Sequence, residues 1–180
     1  EDKVTPGGYS GPGTRQVSIP TGIRRMFTTR STVNYAPGPG RTISEFDVVP
    51  AAPLTSGPAG APVTGLAGEY FDNNRFDGAP RLTRTDARID FRWTLNSPGR
   101  LIPFDWYSAR WTGTIAAPKT GVTRIGLEGN DGYRLYLDGK LAIDNWIKKS
   151  YGTTFTDVAW APESTHQIRI EYFESTGNAR

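Results

Sequence analysis

Residues 129–146, "GNDGYRLYLDGKLAIDNW", crowd Asn130, Asp131, Asp138, Asp144 and Asn145 around Tyr133 and Trp146. Oxygen-ligand metals need several carboxylates or carbonyls converging at short range, and these side chains are of that type if their loops meet. Sugars ask for something else: flat apolar rings against pyranose C–H groups, with carboxylates or amides beside them for the hydroxyls. Trp106, Tyr107, Tyr133 and Trp146 stand in or beside expected loops, close to Asp105, Asp131 and Asn145. The candidate carbohydrate-binding set is therefore Trp106, Tyr107, Asp131, Tyr133, Asn145 and Trp146. Each half has a plainer competing reading. Asn130-Asp131-Gly132 and Asp138-Gly139 are also what tight turns want, because Asn, Asp and Gly tolerate left-handed backbone. The loop aromatics are equally what packing wants.

Other reactive residues are isolated. His166 is the single histidine, set at a strand start without a nucleophile or orienting carboxylate, and reads as a surface or edge residue. Glu171 and Glu174 could pass for a carboxylate pair, but Glu171 falls on the polar face of a strand, which reads as solvated. "GGYSGPGTR" lacks the Lys-Ser/Thr ending of a phosphate loop. Cysteine is absent, which excludes disulfides, zinc-thiolate sites and thiol nucleophiles together.

These residues need elements to hold them. With 180 residues there is room for one domain or one and a fraction. Abundant Gly and Pro and scarce helix-forming runs favour a β-dominated class. In "SARWTGTI" the residues Ala109, Trp111, Gly113 and Ile115 alternate with Arg110, Thr112 and Thr114, and "TRIGLE" and "HQIRIEYF" share that period of two. "YRLYL" and "KLAID" flank Asp138-Gly139, the signal for a type I′ hairpin. Trp93, Trp111, Tyr70, Phe71, Leu135, Leu137 and Leu141 are assigned to the core. The expectation is a mainly β protein, an antiparallel sandwich from about residue 65 onward. Ahead of it, "PAAPLTSGPAGAPVT" at 50–64 reads as an extended linker. Before that, "VSIPTGIRRMF" predicts a helix carrying Ile19, Ile23, Met26 and Phe27 on one face with Ser18 as N-cap, and "STVNY" a short strand. One helix and one strand cannot bury a core, so residues 1–49 read as a piece of a larger α/β unit.

The net charge of +3 is spread with both signs interleaved, so the basic footprint of a nucleic-acid or anionic-membrane partner is missing. No apolar run is long enough to span a bilayer, and the first residues lack a signal-peptide layout, so the chain reads as a mature or excised segment. The compartment is left open, with a periplasmic or secreted location favoured.

"GLAGEYFDN", "DFRW", "YSARWTGTI" and "GNDGYRLYLDGKLAIDNW" follow one another as in the anthrax-protective-antigen-like β-sandwich, the PA-14 domain, and residues 65–179 resemble it in order and spacing. "GGYSGPGTRQVSIPTGIRRMF" followed by "TVNYAPGPG" is similar to part of the α/β-sandwich domain of glycoside hydrolase family 3, some members of which carry an inserted PA-14 domain soon afterwards. The resemblance implies a segment of a β-glucosidase- or β-xylosidase-like enzyme hydrolysing O-glycosidic bonds. The implied partners are a β-glucoside, β-xyloside or oligosaccharide and the rest of the parent glycosidase. No catalytic residue is assigned, since the family's nucleophile and acid/base fall outside this segment, and no cofactor is expected. In calcium-dependent adhesin members an Asp-Asp pair coordinates the ion near the place of Asn130 and Asp131, which leaves a calcium-dependent carbohydrate-binding module as an alternative. Here asparagine replaces the first aspartate. A spacer or dimerisation domain is the other alternative. The family ends on a further apolar strand, so the sandwich is expected to lack its last strand.

Overall fold

The computed structural model describes residues 17, 19–27, 32–33 and 46–180. The chain divides into two compact units, Glu1–Phe46 and Asp47–Arg180. In the first, helix α1 spans Ile19–Met26, and Ile23, Met26 and Phe27 on it and after it are exposed. Ser18, the expected cap, lies outside the described residues, as does the strand read at 31–35 apart from residues 32 and 33.

The second unit carries ten strands: β1 Leu54–Ser56, β2 Val63–Thr64, β3 Leu66–Phe71, β4 Leu82–Asp86, β5 Tyr107–Ala116, β6 Gly121–Gly129, β7 Gly132–Leu137, β8 Lys140–Asn145, β9 Gly152–Trp160 and β10 Thr165–Glu174. Every pairing is antiparallel. The large sheet runs β2-β1-β5-β10-β7-β8, and β3 shares with β1 the free edge of β5 while also pairing with β4. A separate ribbon of β6 and β9 packs Ile125, Leu127, Val158 and Trp160 against the large sheet's core. This is the expected mainly β, sandwich-like class.

The period-two residues fill the space between these layers. Ala109, Trp111 and Ile115 of β5 meet Ile168, Ile170 and Tyr172 of β10 on the buried face, while Arg110, Thr112 and Arg169 stay on the other. One polar group is buried among them. Asp86 accepts from the Tyr70 hydroxyl at 2.5 Å, from Trp111 Nε1 at 2.8 Å and from Arg84 Nε at 2.7 Å. Three donors compensate one desolvated carboxylate. Burial and the Asp86 charge together push the Tyr70 hydroxyl well above its ordinary pKa.

Two sequence expectations change here. Residues 50–64, read as a linker, contain β1 and β2, and Leu54 is 3% exposed in the core. The composition is turn-rich because the hairpin turns are short, yet one leucine and the edge of β5 suffice to order the stretch. Leu141, assigned to the core, is exposed. The β7–β8 register shifts between Leu135 and Tyr136, so Leu135 pairs with Ile143 but Tyr136 with Leu141. The extra residue, Ala142, turns Leu141 onto the outer face. The hairpin itself is as expected, with Asp138 and Gly139 at φ of 49° and 76°.

Candidate functional site

One end of the unit gathers four loop segments: the approach to β5, the β6–β7 turn, the β8–β9 connection and the residues after β10. Ser175 N donates to Asp131 Oδ2 at 2.9 Å, Trp106 N to the Ser175 carbonyl at 3.1 Å, and Gly177 N to Asp105 Oδ1 at 3.1 Å. Asn130 N donates to the Arg180 carbonyl at 3.1 Å, and the Asn130 side-chain amide donates to the Asn178 carbonyl. Thr94 and Ala179 exchange both backbone bonds at 2.9 Å. The peptide between Asn130 and Asp131 is cis. The segment 174–180 is thus laced across the loop end, and beside it opens a depression of about 830 Å³. Asn130, Asp131, Thr176 and Asn178 supply amide, carboxylate and hydroxyl groups to it, Tyr151 a ring, and Arg92, Lys148, Lys149 and Arg180 positive charge.

Beneath this end lies a buried carboxyl. Glu174 is 0% exposed, and its Oε1 has no partner. The Tyr172 hydroxyl oxygen lies 2.9 Å from Glu174 Oε2 and 2.7 Å from the Asn130 carbonyl. A phenol has one hydrogen and a carbonyl only accepts, so both contacts are hydrogen bonds only when Glu174 itself carries a proton. Burial, with Asp131 and Asp105 adding like charge, pushes the Glu174 carboxyl up to about 7. Below about pH 7, geometry and electrostatics together favour the protonated acid.

The expected sugar-binding residues divide. Asp131 lines the depression, although it is only 3% exposed and Ser175 holds one of its oxygens. Trp106 is 56% exposed with a φ of 61°, so its left-handed backbone turns the ring outward while its amide is tied to Ser175. Tyr107 and Tyr133 are corrections, being buried in the core. Tyr107 is the first residue of β5 on its inward face, and the Tyr133 hydroxyl reaches inside to the Gly152 carbonyl at 3.0 Å. Asn145 is a correction as well, buried with an unpartnered amide nitrogen. Trp146 is half-buried and its faces are taken. Phe76 stacks on it at 5.8 Å, the Arg134 guanidinium lies 4.5 Å from its centroid, and its ring meets Phe173 at 4.7 Å. The structure therefore brings Asp131 and Trp106 together through Ser175 and puts Trp146 in a separate aromatic cluster.

The chemistry-bearing residues outside that set also resolve. His166 is half-buried, with Nδ1 2.7 Å from Asp138 Oδ2 and Nε2 3.0 Å from Ser164 Oγ, so it tethers the hairpin turn to β10. Glu171 is not solvated but covered by Arg169 at 3.3 Å and Arg134 at 3.9 Å, on the opposite face of β10 from Glu174's partner Tyr172. For calcium, Asn130 and Asp131 offer one carboxylate already bonded to Ser175, short of the oxygen ligands that ion takes, so the pair does not fit it. Among the described residues no group of three or more His, Asp or Glu side chains is placed to hold a metal ion. Sequence reasoning missed Lys148, Lys149 and Tyr151, whose signal was the basic-aromatic run "WIKKSY".

The PA14 domain family model matches residues 62–180. The chain belongs to the PA14 family. Its PA14 domain is 32% identical over 111 residues to the anti-sigma-I factor RsgI3 of Acetivibrio thermocellus, covering 62% of this chain and 17% of that protein. A solved anti-sigma factor domain-containing protein from Clostridium clariflavum is 38% identical, with a TM-score of 0.59 over 64% of this chain and 39% of the other. Two further solved structures share the fold alone: the β-glucosidase from Kluyveromyces marxianus (18% identity, TM-score 0.57, 92% of this chain, 21% of that one) and the PA14 sugar-binding domain from an RTX adhesin (15% identity, TM-score 0.50, 65% and 86%). The expected family 3 glycosidase context is corrected by the first two. The relatives that share sequence are anti-sigma-factor proteins, so the parent glycosidase and its β-glucosidase or β-xylosidase activity are not carried over. The chain spans well under half of each anti-sigma relative it matches.

Proposed function

We propose that this PA14 domain is a carbohydrate-recognition module of a larger, anti-sigma-factor-like protein. The observation that carries the reading is the loop-end depression, in which the neutral hydrogen-bonding groups of Asn130, Thr176 and Asn178 surround an open space of saccharide size. Trp106, exposed and with its amide bonded to Ser175 next to Thr176 of the lining, adds an aromatic ring to the same loop end. Membership of a family that includes a domain titled as sugar-binding supports the same reading. Saccharide bound here would act as an input to the anti-sigma activity that the relative's name ascribes to it, met outside the cytoplasm, where polysaccharide occurs.

The test is titration calorimetry of the chain against a panel of plant and microbial oligosaccharides. At least one is expected to bind, and Trp106→Ala and Asn178→Ala are expected to weaken it about tenfold or more while leaving the melting temperature within about 2 °C, since both residues are exposed on loops and such residues contribute little to stability. Binding that both variants retain in full would place recognition elsewhere on the domain.

A further inference from the structure

The charge of the depression says more than its shape. Arg92, Lys148, Lys149 and Arg180 all line it, and none of them forms an ion pair with a carboxylate among the described residues. Elsewhere on the same unit Arg81, Arg84, Arg110, Arg124, Arg134 and Arg169 each face an Asp or Glu within 4 Å, and Arg75, Arg100, Lys119 and Lys140, which form no ion pair among the described residues, do not line this depression, so what sets it apart is that four such cations converge on it. Three of the four cations are held by other means. Arg180 lies 4.3 Å from the Tyr151 centroid, Lys149 5.9 Å from that of Tyr133, and Lys148 donates to Thr176 Oγ1. Such contacts position a cation without neutralising it. The acids nearby are fewer than the cations: Asp131 is 3% exposed with one oxygen bonded to Ser175, and burial raises the Glu174 carboxyl to about 7, so they offset the positive charge only in part.

We infer that the saccharide recognised here carries carboxylates, a chain of uronic acid units, with the cations meeting its carboxylates and the amides and hydroxyls between them meeting its hydroxyls. This rests on the carbohydrate-recognition reading and deepens it. Cationic groups set among neutral polar ones suit a ligand that carries both carboxylates and hydroxyls. A phosphate backbone or an anionic vesicle would ask for a continuous basic track, and the rest of this surface interleaves both signs. Charge-assisted bonds to carboxylate are about twice as strong as neutral ones, so the charged and esterified forms of one sugar should be far apart in affinity.

The experiment compares oligogalacturonate and oligoglucuronate with their methyl esters, using the 180-residue chain, Lys148→Ala/Lys149→Ala and Arg92→Ala. The uronates are expected to bind, to lose about tenfold or more on esterification, and to lose a similar factor in the double-lysine variant with an unchanged melting temperature. Raising ionic strength from about 0.05 M to about 0.5 M should weaken the uronates and leave the esters unaffected. Equal binding of acid and ester, or of wild type and lysine variant, overturns the uronate inference and leaves sugar recognition standing. Binding of single-stranded RNA or anionic vesicles through the same lysines, with no saccharide bound, overturns both.

Discussion

At the scale of single residues, the side chains that looked chemical in the sequence fall on both sides of the protein's surface. Types and spacing picked out Asp131, which lines the depression, and Trp106, which is exposed, but did not show that Tyr107 and Tyr133 point inward. An aromatic at a strand start has two faces open to it, and only the packed partner decides. Glu174 was legible as a carboxylate and not as a neutral one, because that depends on Tyr172 having a single hydrogen to share between two oxygens. The consequence is a pH dependence. The carboxyl titrates near its ordinary 4.5 when unfolded and at about 7 when folded. Below 4.5 both states are protonated and nothing is lost. As pH rises from 4.5 towards 7 the unfolded state releases its proton first, so stability declines by up to about 3 kcal/mol and then levels off. Glu174→Gln, which keeps a donor for Tyr172, is expected to flatten that decline in denaturant melts between pH 4 and pH 8. A variant with an unaltered slope would place the titration elsewhere. Asp86 makes the opposite case, an anion satisfied by three donors. Asp86→Ala removes the acceptor that the Tyr70 hydroxyl, Trp111 Nε1 and Arg84 Nε share, while Arg84 keeps its bonds to the Pro98 carbonyl and the Tyr70 oxygen, and urea unfolding should show a loss of about 3 kcal/mol.

At the scale of elements, periodicity located most strands, because one buried face imposes a period of two on the sequence. The type I′ turn was legible for the same local reason. What was not legible is non-local. The bulge at Ala142 turns Leu141 outward, and β1 exists because the β5 edge offers it hydrogen bonds. Gly113 records that second dependence: a Cβ added there would come within 2.3 Å of the Thr55 carbonyl oxygen. Backbone cannot yield as a side-chain tip does, so Gly113→Ala should push β1 from β5, costing about 2 kcal/mol or more and accelerating amide exchange at Gly65 and Ala116, whose N–H groups bond Leu54 and Pro53. Unchanged exchange at those two amides would mean β1 is dispensable. Asp138 ties the β7–β8 turn to β10 by accepting from Gln167 N and pairing with His166, and these bonds hold its carboxyl below its ordinary range. That contribution is present above the unfolded carboxylate value and is lost as pH falls through the depressed one. Asp138→Ala should therefore narrow the gap to wild type in acid.

At the scale of the molecule, the resemblance carried the β-sandwich family correctly and the surrounding enzyme wrongly, since a domain's own residues determine its packing and say little about which proteins carry it. The same distinction bears on where the folding unit begins. The family match starts at residue 62, yet Leu54 lies in the core and β1 completes the β5 edge beside β3. Every residue of the main core cluster lies between Leu54 and Ala179. Residues 47–180 should therefore unfold in a single calorimetric transition within about 2 °C of the 180-residue chain's main transition, as expected when a cooperative unit is left whole. Residues 62–180 should not. They lose the Leu54 side chain and the bonds that the Ala116 and Gly65 amides make to Pro53 and Leu54, leaving a cavity and two open donors, one at the end of β5 and one ahead of β3, worth about 2 to 5 kcal/mol. Calorimetry of the two truncations side by side separates the cases. Equal melting of both would show that the folding unit coincides with the family boundary and that β1 is an ornament on it.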